Sequence, residues 1–191
     1  IEVASLGVQV HGGMGFIEET GACQHLRDSR ITTIYEGTTG IQAADLAGRK
    51  LSMDQGAAMQ ALIADIETTL TALAEAPGDD LALIHAELAE ATQALTEATD
   101  WILAEPDANA VMAISVDYLM LAGVVCGGWQ MARAGLAAQS KLSTGEDEVF
   151  HEAKLVTARF YAEHLLPRAI ALLHSIQSGG DSILALTEEQ F

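Results

Sequence analysis

Across residues 81–102 the apolar side chains Leu81, Ile84, Leu88, Ala91, Leu95, Ala98 and Ile102 return at alternating steps of three and four, while Glu87, Glu90 and Glu97 fall off that line. A period near 3.6 lays one stripe along one face of a helix, which a strand with its period of two cannot do. Met59, Ile63, Ile66, Leu70 and Leu73 form an earlier stripe of the same spacing, and Pro77 and Gly78 break the two apart over residues 76–80. A second break, at 105–109 around Pro106, leads into a helix expected over 110–138. A last helix is predicted over 146–177, with Pro167 as a kink or break and Gly179-Gly180 as its end. An amphipathic helix has to bury its stripe against another element. Four long helices with short connections therefore predict an antiparallel bundle. The only β-branched run, residues 31–35, is too short and isolated to build a sheet. The expected fold class is all-α.

The helix over 110–138 is apolar nearly all round, but its uninterrupted run between Asp117 and Gln130 is 12 residues, against the ~20 that a membrane span requires. Gly123 and Gly127 make a GxxxG pair, read here as close helix packing within a bundle rather than membrane dimerisation. No membrane insertion is expected.

Charge narrows the partners. The chain has 27 acidic and 9 basic residues, a net charge of −18. Nucleic-acid binding needs a basic footprint to neutralise phosphate, and recruitment to an anionic membrane needs one too. With 50% hydrophobic and 19% charged residues, disorder is excluded on composition. Cys23 and Cys126 stand alone, so neither a disulfide scaffold nor a structural zinc site has ligands. A bundle di-metal centre needs two Glu-x-x-His pairs; Glu148 and His151 make one, without a second, and no metal site is expected. Neither a G-x-S-x-G elbow nor a Gly-Lys-Ser/Thr phosphate loop occurs.

The charge is also unevenly spread. Residues 1–50 carry a net −2 and eight of the 17 glycines, whereas residues 51–191 carry a net −16. A boundary is placed near residues 51–53, dividing the chain into 1–52 and 53–191. The chain opens at Ile1 with neither a Met nor a basic leader, as expected of a piece of something longer.

The chemistry concentrates in the first part. Gln9-Val10-His11-Gly12-Gly13-Met14-Gly15-Phe16 packs three glycines into four positions, which suits either a plain turn or a backbone that a ligand approaches closely. It is not a dinucleotide fingerprint, because Glu18 occupies the third glycine position and no strand precedes it. Further on comes Ile34-Tyr35-Glu36-Gly37-Thr38-Thr39-Gly40-Ile41-Gln42. Thr38 or Thr39 is a plausible N-cap. Glu36 either complements the helix dipole or serves as a general base aimed into a pocket. His25, Arg27, Asp28 and Arg30 read as a surface ion-pair cluster or as contacts to a cofactor phosphate or a neighbouring subunit.

Taken together in order, residues 9–16, Leu26-Arg27-Asp28-Ser29-Arg30-Ile31 and Ile34-Tyr35-Glu36-Gly37-Thr38 strongly resemble the C-terminal helical domain of acyl-CoA dehydrogenases, over residues 1–51. Val10-His11-Gly12-Gly13-Met14-Gly15-Phe16 and Gly48-Arg49-Lys50-Leu51 are similar to the larger subgroup with an extra C-terminal helical domain, to which bacterial 3-methylmercaptopropionyl-CoA dehydrogenases belong. Residues 53–191 would be that extension. The resemblance implies that Glu36 removes the α-proton of an acyl-CoA thioester while the β-hydrogen leaves as hydride to FAD, giving a 2,3-enoyl-CoA. It implies that the backbone N–H of Glu36 and a flavin hydroxyl face the developing enolate oxygen. Gly37 would border the substrate. Thr38, Thr39 and Gly40 would approach FAD, and Gln9, Val10, His11, Gly12 and Gly13 would contact the FAD of a neighbouring subunit.

A homo-oligomer, dimer or tetramer, is implied, with electron-transfer flavoprotein as electron acceptor. The location implied is the bacterial cytoplasm, or the mitochondrial matrix if the source is eukaryotic. His11 stands where many members carry an aromatic residue, and Thr39-Gly40 replaces the more frequent Ser-Glu or Ala-Gln. The N-terminal and middle domains that supply most cofactor contacts are not in these residues, so the chain alone is expected neither to hold FAD tightly nor to turn over. The alternative, strongest for residues 53–191, is a non-enzymatic helical interaction or oligomerisation module.

Overall fold

A computed structural model describes residues 1–190. They are helical, with no strand among the described residues, and they form two compact units, one of residues 1–42 and one that begins at residue 43. Compactness thus divides the chain some ten residues upstream of the composition boundary.

The first unit contains α1 (Glu2–Val10), the short α2 (Gly13–Phe16), a 3₁₀ turn (Glu18–Thr20) and α3 (Ala22–Ile31). α1 and α2 both pack on α3. Gly15 is the one buried residue among 1–42, while Val3, Val10 and Phe16 are each more than four-fifths exposed. This is a layer without a core of its own. Residues 31–35 continue the end of α3 and the turn after it rather than forming a strand. A helical stretch begins with α4 (Thr39–Ala44), widens into a π-helical turn (Asp45–Lys50) and closes with α5 (Leu51–Met53).

The second unit is built on α6 (Ala57–Glu75), α7 (Asp79–Ala104), α8 (Ala108–Leu142) and a final stretch split into α9 (Glu148–His164) and α10 (Arg168–Gln177). Both sequence stripes face inward. Met59, Ile63, Ile66 and Leu73 of α6 are buried with Leu70 packed beside them, and all seven stripe residues of α7 are buried. Pro167 breaks the last helix outright, since it cannot continue the ladder. Gly179 in the left-handed region ends it, its N–H donating to the Ile176 carbonyl at 3.0 Å.

Neighbours across the helices show that the bundle is antiparallel. At one end Gly56 meets Leu103, Gly179 meets Trp101 and Gly180 meets Ala110 and Ala113; further along, Gly135 of α8 meets Leu81 of α7 and Ala158 of α9. The ties between helices are specific. Trp129 Nε1 donates to Thr69 Oγ1 at 2.7 Å, the Tyr118 and Thr99 hydroxyls share a buried bond at 2.9 Å, and Tyr161 Oη donates to the Val124 carbonyl at 3.1 Å. Arg159 pairs with Asp80 at 2.7 Å and Glu163 at 2.8 Å. Buried Thr92, Thr99 and Ser115 satisfy their hydroxyls on carbonyls of the preceding turn.

α8 is long and apolar enough to cross a membrane by length and composition, but Ile114, Tyr118, Leu121 and Val125 point into the bundle and are fully buried. The GxxxG reading needs correction. A Cβ on Gly127 would collide with the Tyr161 hydroxyl, whereas one on Gly123 would meet nothing within 4 Å. The close approach is made instead by the adjacent pair Gly127 and Gly128, the latter against Leu166.

Candidate functional site

The two glycine-bearing motifs both lie in the first unit. α1 ends at His11, whose Nδ1 donates to the Gly7 carbonyl at 2.8 Å. Gly12, with φ +61°, turns the chain, and Gly15 lays α2 on α1 so closely that a Cβ there would strike the Val8 carbonyl oxygen. Two of the three glycines therefore have internal reasons. Gly13 has neither a positive φ nor a neighbour within 4 Å of an added Cβ, so nothing within the chain demands glycine there. Gln9, Val10, His11, Gly12 and Gly13 are all exposed. His11 lines a shallow groove of about 220 Å³ with Gly7, Thr20, Gly21, Ala22 and His25. Nearby, Arg27 pairs with Glu18 at 3.2 Å rather than with Asp28, which accepts from Gln24 at 2.9 Å.

Residues 33–39 form a loop with Glu36 at its apex. Upstream, the Tyr35 N–H donates to the Ile31 carbonyl at 3.2 Å; across the loop, the Thr39 N–H reaches the Thr33 carbonyl at 3.3 Å. From the following helix, Gln42 Nε2 donates to the Glu36 carbonyl at 2.7 Å. Thr38 is the cap: its Oγ1 accepts the Ile41 N–H at 3.4 Å and its carbonyl accepts the Gln42 N–H at 3.0 Å. Glu36 sits at φ +58° and Gly37 at φ +106°. A left-handed conformation costs a residue with a Cβ of order 1 kcal/mol, so the bracketing bonds have a strain to hold. Gly37 is required both by its φ and by room, since its Cβ would stand 3.0 Å from Gln42 Nε2 and 3.2 Å from Ile41 Cγ2.

Glu36, Gly37, Thr38, Thr39 and Gly40 are thus brought together as one loop and helix start, and Gln9 to Gly13 as one corner. No hydrogen bond or ion pair joins the two sets among the described residues. Gln42 was missed as a site residue. Its signal in the sequence is its place in the second turn of the helix that Thr38 caps, where a long amide side chain can reach back over the loop. A hollow of about 670 Å³ lies in the second unit between Ala47, Gly48, Leu51, Leu103, Pro106 and Met112 and contains none of the sequence-derived site residues.

Residues 57–187 match the family model described as "Acetyl-CoA dehydrogenase C-terminal like", and residues 1–51 match "Acyl-CoA dehydrogenase, C-terminal domain". The chain belongs to the acyl-CoA dehydrogenase family. A 3-methylmercaptopropionyl-CoA dehydrogenase of Ruegeria pomeroyi is 45% identical over 186 residues, covering 96% of this chain and 32% of that protein. A butyryl-CoA dehydrogenase of Syntrophomonas wolfei is 30% identical over 189 residues, covering 96% and 31%. Human mitochondrial short-chain specific acyl-CoA dehydrogenase is 47% identical over 49 residues, covering 26% of this chain and 12% of that protein. The chain spans about a third of the length of the first two relatives.

The acyl-CoA dehydrogenase resemblance implies FAD, and the corner and loop fit it as one wall only. Gly12 and Gly13 leave open space above exposed backbone, whereas the Thr39, Ile41 and Gln42 N–H groups at the start of α4 are already bonded to Thr33 and Thr38 within the chain. A site that encloses a ligand buries most of its surface, and the first unit has no buried side chain with which to do so.

Proposed function

We propose that this chain supplies the C-terminal part of a flavoprotein that oxidises acyl-CoA to 2,3-enoyl-CoA, with Glu36 as the base. The supporting observation is the apex at Glu36: a strained, left-handed residue bracketed by three hydrogen bonds, within residues that match the family. Strain that the surroundings over-determine marks a functional position. The Glu36 carboxylate takes the α-proton of the thioester, its backbone N–H faces the thioester oxygen, and the α–β double bond forms as the β-hydrogen departs. FAD, when bound, supplies the acceptor for that hydride. Gly37 gives the acyl group clearance. Thr38, Thr39 and Gly40 face the cofactor, and Gln9, Val10, His11, Gly12 and Gly13 reach the cofactor of a neighbouring copy in a dimer or tetramer. Electron-transfer flavoprotein then reoxidises the enzyme in the bacterial cytoplasm or the mitochondrial matrix. Residues 1–52 end the catalytic helical domain and 53–191 extend it as a bundle. The chain alone binds no stoichiometric FAD and does not turn over.

The test is anaerobic flavin bleaching of the full-length protein with butyryl-CoA and 3-methylmercaptopropionyl-CoA. A positioned general base contributes about 10²–10⁴-fold, so Glu36→Gln should slow bleaching by that factor with flavin content unchanged. Equal bleaching of wild type and variant refutes the assignment.

A further inference from the structure

We propose that Gln42 is a positioning residue for the proposed base, its side-chain amide locking the peptide between Glu36 and Gly37 so that the Glu36 carboxylate is held in one orientation. The inference rests on the reading of Glu36 as base. The peptide in question is the weakest link of the loop. It can flip by changes in ψ of Glu36 and φ of Gly37 alone, and glycine makes the second change cheap. On its N-terminal side Glu36 is steadied by the Tyr35 N–H bond to Ile31, and the loop is closed by Thr39 on Thr33. Neither bond touches the Glu36 carbonyl. The atom that a flip would carry round is held by Gln42 Nε2 at 2.7 Å. Gln42 is itself fixed, because its N–H is bonded to the Thr38 carbonyl at 3.0 Å in the capped turn of α4. Its amide also lies 3.0 Å from where a Gly37 Cβ would stand, so it seats against the same peptide from the side. A base misplaced by about 1 Å loses roughly 10²-fold in rate, which makes the lock kinetically visible even though the bond is exposed.

The test uses the full-length flavoenzyme with Gln42→Met and Gln42→Glu, which lack the donor, and Gln42→Lys, which keeps one on an unbranched stem. Flavin reduction by butyryl-CoA is followed by stopped flow to separate the limiting rate from apparent Kd, and exchange of the thioester α-hydrogens into D₂O reads the base without hydride transfer. The expected result is flavin content and Kd unchanged, limiting rate and α-exchange both at least about tenfold slower in the donor-less variants, and most of the loss recovered in Gln42→Lys. Wild-type rates in the donor-less variants overturn the proposal. So does a loss confined to Kd, or flavin-free donor-less proteins, either of which assigns the bond to binding or folding. Glu36→Gln run alongside separates the two readings: if it is inactive while the Gln42 variants are not, only the positioning role falls, and if it keeps its rate the base assignment falls first.

Discussion

Replacing Gly123 and Gly128 of α8 by alanine, one at a time, should stabilise the chain at the first position and leave it unchanged or less stable at the second. Both sit deep inside a 35-residue helix, so each substitution gains about 1 kcal/mol of helix propensity. At Gly123 a Cβ meets nothing within 4 Å, and the gain stands in full. At Gly128 the Cβ would lie 2.5 Å from Leu166 Cδ2 and 3.0 Å from its Cδ1 and Cγ. Leu166 is 1% exposed, so it has no solvent to retreat into, and overpacking of this kind costs about 1–3 kcal/mol. The net effect at Gly128 therefore runs from about zero to a loss of about 2 kcal/mol. In a chain of this size 1 kcal/mol moves Tm by roughly 2–4 °C. Thermal melts of the 191-residue chain followed at 222 nm should place Gly123→Ala above wild type and the two variants roughly 4–8 °C apart for a 2 kcal/mol difference. Adding Leu166→Ala should remove the penalty at Gly128, because the new methyl then enters the space the leucine vacates. Equal shifts for the two variants would refute the close approach. A fall in Tm for Gly123→Ala would mean that its face of α8 is covered in solution.

Tyr118 is fully buried and its hydroxyl bonds to Thr99; burial pushes its pKa up to about 12. An unfolded tyrosine releases its proton near pH 10, before the folded one does. The stabilising contribution is therefore intact below pH 10 and is lost as pH rises from 10 to 12, about 2–3 kcal/mol in all. Urea midpoints measured from pH 7 to 11.5 should fall steeply in the wild type and much less in Tyr118→Phe, which at pH 7 gives up about 1 kcal/mol with the bond to Thr99; parallel alkaline limbs would refute the assignment. Gly15→Ala drives a Cβ into the Val8 carbonyl and to 2.9 Å from His11 Cβ, a backbone clash worth about 2 kcal/mol or more. Chymotryptic cleavage after Phe16 should then accelerate at least about tenfold, and an unchanged rate would show that the corner yields without opening.

The bundle was legible because burial and spacing carry the same information: the residues that recur every three or four positions on α6 and α7 are those the core takes in. Contacts between helices were not. Which of Gly123, Gly127 and Gly128 faces a neighbour depends on Tyr161 and Leu166, more than 30 residues further on, and no periodicity within α8 reports that. The start of α8 was placed late because Ala108-Asn109 reads as the tail of a proline turn, whereas the Asp107 carboxylate captures the Asn109 N–H at 2.9 Å and caps the helix two residues sooner. In the loop, Gly37 was read only as clearance beside a substrate, and its φ of +106° emerged from the structure. Glu36 gave no signal either, since glutamate carries no preference for φ +58°, and the conformation is imposed by bonds from Thr39 and Gln42. The π-helical turn at Asp45–Lys50 left no signal in composition.

The division of labour between the two units follows from how each is held. The second unit has a continuous core and direct ties between helices, and the sequence-derived chemistry is absent from it. Residues 1–42 carry Glu36 and the glycine corner, yet bury one glycine and leave Val3, Val10 and Phe16 open. A segment of that size cannot pay for its own ordering by packing. What it can do without a core is specify local geometry, and the Glu36 loop does so with backbone bonds at both flanks and one side-chain amide on the apex carbonyl. On the proposed reading, placement of the base is therefore written into about ten consecutive residues. On that same reading the enclosing walls, and with them the choice of acyl chain, would come from outside these residues, which span about a third of the relatives' length. Substitutions in the loop should accordingly change the rate of α-proton removal across all thioesters alike, leaving their order of preference where it was.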